Sequence, residues 1–145
     1  MRLCWLVVVS ALGLMVSAGV AQDKAGATDK DKIQGTWMIV SGEKGGKPLP
    51  LDKLKDIKIV FAGDKITFNN QGKTSEHAFK LYPAKKPKEM DVDFDGKTGT
   101  GIYELDGNTL KVAHGELGDP RPKEFASKEG SNVTFMVMKR EKSPK

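Results

Sequence analysis

The run Gly35-Thr36-Trp37-Met38-Ile39-Val40-Ser41 decides the fold. β-Branched and aromatic residues stand between a polar lead-in and a Gly/Pro-rich segment, a composition that favours a strand. Gly35 allows a turn or a close backbone approach. Trp37 is the only tryptophan outside the apolar N-terminal run. So large a ring, so early in a small domain, suits the plug of one end of a β-barrel.

Working outward, Gly42 to Pro50 is expected as a long loop, and Leu51 to Lys55 as one helical turn within it. Ile57-Lys58-Ile59-Val60-Phe61 alternates, with Ile57, Ile59 and Phe61 on one face. Gly63-Asp64 turns the chain into Lys65-Ile66-Thr67-Phe68, with Ile66 and Phe68 inward. Asn70-Gln71-Gly72 turns it again into Glu76–Tyr82, with Phe79 and Leu81 inward. Glu89 to Phe94 alternates most cleanly, with Met90, Val92 and Phe94 facing the core and the acids facing water. Gly101–Leu105 and Thr109–Ala113 are joined by Asp106-Gly107, a type I′ signal. Gly115 to Pro122 is a second irregular loop. Val133–Met138 is the last strand, with Val133, Phe135 and Val137 expected inward.

These are eight short strands joined mainly by tight turns, hence antiparallel neighbours. The fold class is all-β: an eight-stranded antiparallel up-and-down barrel, preferred over an open sandwich because the later hairpins are short. Closure removes the edges, and eight strands leave an interior that side chains fill or that holds one small ligand.

The chain has 145 residues. Residues 1–21 read as a signal peptide: Arg2 precedes an apolar run, and Gly19-Val20-Ala21 offers small residues at a cleavage site. The alternative, an uncleaved membrane anchor, is disfavoured by Ser10, Gly13, Ser17 and Gly19, which dilute the run. Cleavage leaves 124 residues, enough for one core, and removes Cys4, the single cysteine. Residues 22–32 read as a flexible linker, 33–141 as the barrel domain and 142–145 as a charged tail. Losing Arg2 leaves 23 of the 24 basic residues against 19 acidic ones, a net charge near +4. The charges are interspersed, and Lys85-Lys86-Pro87-Lys88 lacks the interleaved aromatics of a nucleic-acid surface. The expected product is a monomer, periplasmic or secreted, with no nucleic-acid partner and no membrane span after cleavage.

Gly35-Thr36-Trp37 resembles the Gly-x-Trp of lipocalin-like (calycin-type) barrels. Three further stretches extend the likeness: Gly46-Lys47-Pro48-Leu49-Pro50, Gly101-Ile102-Tyr103-Glu104-Leu105-Asp106-Gly107, and Arg121-Pro122-Lys123-Glu124-Phe125-Ala126-Ser127. In this order and spacing, from about Asp31 to Glu141, the chain resembles a family of exported lipocalin-like domains found mainly in planctomycete bacteria. The resemblance implies the barrel and an extracytoplasmic location, and no activity, since that family has none established. In lipocalins a basic residue of the last strand covers the tryptophan. Arg140 has the chemistry for stacking on Trp37, and Lys139 is the alternative, being in phase with Val137. Gly35, Trp37 and Arg140 are thus the expected structural closure.

Chemistry at a reactive site has little to build on, and the expectation is a non-enzymatic protein without a cofactor. Only His77 and His114 are available as bases, and each reads as a strand or rim histidine. Asp91-x-Asp93-x-Asp95-Gly96 matches the first half of a calcium loop, but Ile102 stands where the twelfth-position Glu belongs. An outward acidic strand face ending in an Asp-Gly turn explains the same spacing without metal. Asn132-Val133-Thr134 matches a glycosylation sequon, incidental in a bacterial protein.

Two functional readings follow. In the first, the barrel binds a small apolar ligand within the inward set Ile39, Ile59, Phe61, Phe68, Phe79, Met90, Val92, Phe94 and Val137, entered between the Gly42–Pro50 and Gly115–Pro122 loops. In the second, those side chains fill the barrel, and its loops contact another envelope or extracellular component.

Overall fold

The computed structural model describes residues 28–142. The expected signal peptide, residues 22–27 of the expected linker and residues 143–145 of the tail lie outside the described residues.

Strand β1 (Gly35–Lys44) pairs antiparallel with β3 (Ile57–Ala62) on one side and with β9 (Thr134–Arg140) on the other. Between them run β4 (Lys65–Asn70), β5 (Lys73–Tyr82), β6 (Lys88–Phe94), β7 (Lys97–Asp106) and β8 (Thr109–His114), each bonded antiparallel to the next. The β1–β9 pairing therefore closes an eight-stranded, all-antiparallel barrel of lipocalin-like form. No strand of the wall is left with only one neighbour.

The turns follow their sequences. Gly45-Gly46, Gln71-Gly72 and Asp95-Gly96 have positive φ at both central residues, as type I′ requires. The last hairpin differs from expectation. Its central residues are Gly107-Asn108, between the paired Asp106 and Thr109, and only Gly107 has positive φ. That is the pattern of a type II′ turn rather than I′.

Further departures have physical causes. The expected 42–50 loop is a hairpin: β1 continues to Lys44, and β2 (Lys47–Pro48) folds back along it. The linker expected over 22–32 is helical from Asp29, as helix α1 (Asp29–Ile33). Thr28 and Asp31 form a capping box at its start, and Ile33 is fully buried. Helix α2 (Leu51–Leu54) supplies the expected single turn and buries Leu54. A bulge in β1 between Ile39 and Ser41 exposes Val40 and turns Gly42 inward, where Leu49 and Leu54 pack onto it.

The inward phase of β9 is the reverse of that expected. Thr134 and Met138 are buried and Arg140 follows in the same phase, whereas Val137 belongs to the outer face. Both faces of this strand are apolar, because the outer one is also covered. Ile102 of β7 and Ala113 of β8 are paired, lie on the opposite face from Tyr103 and Val112, and are still fully buried. The 115–133 segment crosses that outer face. Phe125 lies against Phe135 at 6.4 Å between ring centroids, and Arg121 donates to the Gly101 carbonyl at 2.8 Å.

Candidate functional site

One end of the barrel is sealed. Trp37 is completely buried, and its indole Nε1 donates to the Ile33 carbonyl at 2.8 Å. The Arg140 guanidinium lies over the ring, 4.4 Å from its centroid. Arg140 also donates to the Lys32 and Gln34 carbonyls, the free acceptors where α1 ends. Its Nε donates to Asn108 Oδ1 at 3.2 Å. Of the two basic residues expected to compete for this place, Arg140 takes it, while Lys139 points outward and donates to Thr109 Oγ1. Gly35 has φ +120°, and a Cβ there would lie 3.0 Å from Arg140 Nη1. The glycine of Gly-x-Trp therefore serves the backbone conformation and the seat of the guanidinium together.

Helix α1 is bolted across this end by a partly buried polar cluster. The Tyr103 hydroxyl donates to Asp29 Oδ2 at 2.7 Å, and Lys88 Nζ lies 2.8 Å from the same oxygen. Burial opposes the charge on Asp29, but the bonds from Lys88 and Tyr103 outweigh it and hold the carboxyl below its usual range. Burial, then the bond to Asp29, raises the Tyr103 phenol far above its ordinary value.

The other end holds a cavity of about 440 Å3. It exists because inward positions along β5 and β7 carry little bulk: Ser75, Gly99 and Gly101 all line it. A Cβ at Gly99 would come within 2.9 Å of Phe94 Cε2, and one at Gly101 within 2.8 Å of the Ala113 carbonyl. The walls are mostly apolar. Ile59, Phe61, Phe68, Met90, Val92 and Phe94 of the expected set line the cavity. Ile39 and Phe79 are buried in the core but do not line it, and Phe79 packs edge-on against Phe61. Val137 is a correction: Met136 and Met138 line the cavity in its place, as the phase of β9 dictates. Ile66 and Val112 complete the apolar wall. The interior is thus not packed solid.

At the rim, His114, Gly115, Glu116 and Leu117 line the opening. Leu117 occupies the tip of the turn closed by Asp119 N to the Glu116 carbonyl, and the residue is 48% exposed. Of the two loops expected at the mouth, the 115–122 loop lines it and the 42–50 segment does not. A salt bridge between Lys44 and Glu116 pins the rim loop to β1 and lowers the Glu116 carboxyl below its usual range. His77 lies inward on β5 with its ring 4.6 Å from Phe94 and 6.0 Å from Phe68, in aromatic contact. His114 Nδ1 donates to the Gly115 carbonyl at 3.0 Å.

The three aspartates of the calcium-like run are separately engaged. Asp91 Oδ1 has Arg121 Nη2 at 2.7 Å as its counter-charge, Asp93 Oδ1 accepts from Gly96 N at 2.8 Å, and Asp95 sits in the turn at φ 54°. Among the described residues, no three His, Cys, Asp or Glu side chains converge on one point suited to a metal. A larger trough of about 730 Å3 crosses the outer face past Lys80, Asp91 and Asp93, and its mixed charges face water. Among the described residues no helix is long and apolar enough to cross a membrane. No family model, curated protein or solved structure matches this chain.

Proposed function

We propose that this protein is an exported, non-enzymatic barrel that holds one small apolar ligand in the cavity behind the rim loop. The observation that carries this reading is the 440 Å3 apolar space bounded by Met90, Val92, Phe94 and Met138, within the size range of small-molecule sites. Export rests on the leader-like residues 1–21, and the absence of cysteine from the rest of the chain suits a domain stabilised by packing alone.

Titration with the neutral dye Nile red tests the reading. The expected result is one saturable site per chain with a blue-shifted emission, lost in Ser75→Phe, which places a ring in the opening. No saturable binding, or binding untouched by Ser75→Phe, contradicts it.

A further inference from the structure

The polar atoms at the rim carry information about the ligand's polar end. Among the described residues, Glu116 is the only charged one that lines the cavity, and no lysine or arginine does. Lys44, which reaches the rim loop from β1, is already committed to Glu116. An anionic ligand would therefore bring its charge beside a carboxylate without gaining a free partner.

His114 narrows the choice further. A carbonyl oxygen only accepts, so Nδ1 carries the proton in its bond to Gly115. In the neutral ring, Nε2 is then an acceptor, and it has no hydrogen-bond partner among the described residues. Ser75 supplies a hydroxyl on the β5 side of the same opening.

Resting on the proposed apolar-ligand reading, we infer that the ligand ends in a neutral hydrogen-bond donor, of the alcohol class, received by His114 Nε2. The apolar body occupies the space between β6, β7 and β9, and the hydroxyl lies at the rim. A fatty carboxylate of equal length is rejected, because it offers Nε2 no proton and meets Glu116.

Displacement of Nile red by decanol and by decanoate tests this. Decanol is expected to displace the dye with an affinity about tenfold or more above that of decanoate. In His114→Phe, which keeps a flat ring but removes the acceptor, the decanol preference should shrink severalfold. Exposed Glu116→Gln provides a second variant that leaves the core untouched, and should strengthen decanoate while leaving decanol unchanged. Decanoate equal to or stronger than decanol on the unaltered protein overturns the alcohol assignment and leaves the ligand-binding reading standing. An unchanged preference in both variants overturns the roles given to His114 and Glu116. Failure of the dye itself to bind overturns the proposed function, and the alcohol assignment with it.

Discussion

Arg140 stacks on Trp37 at 4.4 Å while its guanidinium nitrogens hold the Lys32 and Gln34 carbonyls. One side chain from the last strand thus covers the plug, ends α1 and ties α1 to β9. Replacing it with alanine should cost about 2–4 kcal/mol, from the lost cation–π contact and the stranded carbonyls. Arg140→Lys keeps the charge without the planar fork and should recover less than half of that loss. Urea unfolding followed by Trp37 emission measures both, and an Arg140→Ala protein as stable as the parent contradicts the closure described here.

Gly35 is the partner in that arrangement. Gly35→Ala forces a side chain into φ +120° and within 3.0 Å of Arg140 Nη1. The expected loss is about 1–3 kcal/mol. Gly35→Ala made in the Arg140→Ala background should cost less, since the steric part has gone. Additive losses would mean that backbone strain alone accounts for the glycine.

The Asp29–Tyr103–Lys88 cluster predicts a pH profile with two limbs. Asp29 has a lowered folded pKa, so its contribution is full above the ordinary carboxylate value of 3.8 and is lost as pH falls through the lower folded value. Tyr103 has a raised folded pKa, so its contribution is full below the ordinary phenol value of 10.0 and declines as pH rises above it. Asp29→Asn should flatten the acid limb and Tyr103→Phe the alkaline one. Tyr103→Phe should also cost about 1–2 kcal/mol near neutrality. Thermal melts across the pH range test this, with exposed Tyr82→Phe as the control.

The phase of β9 can be tested by two neighbouring substitutions. Met138→Ala opens the core and should cost about 2–4 kcal/mol, whereas Val137→Thr on the outer face should cost under about 1 kcal/mol. Equal effects, or the reverse order, would restore the opposite phase.

That strand also shows where reading from the sequence fails. Strict alternation places most of the wall, because β4 and β6 carry a single apolar face. In β9 both sets, Phe135 and Val137 on one side and Met136 and Met138 on the other, are apolar, so periodicity has no preference. The deciding fact is nonlocal: the 115–133 segment covers the outside of β7 and β8, giving outward apolar residues a place to be buried. The inverted phase keeps Lys139 open as the alternative stacking residue, although the chemistry of Arg140 points the right way. The bulge near Val40 and the helix at Asp29 were equally hidden, since one depends on pairing with β9 and the other on contacts to Lys88 and Tyr103. The cavity leaves a trace in the sequence. Gly99 and Gly101 are in phase with Tyr103, and two glycines on the inward face of a strand remove the side chains that would have filled the space.

The most direct measurement is methyl NMR of the methionines during titration with decanol. The account predicts that the methyl signals of Met90, Met136 and Met138, which line the cavity, shift together and saturate at one equivalent. The signals of Met38 and of the Trp37 indole, outside the cavity, should stay in place. Shifts confined to Met38 or the indole, or no shift at any methionine, would contradict it.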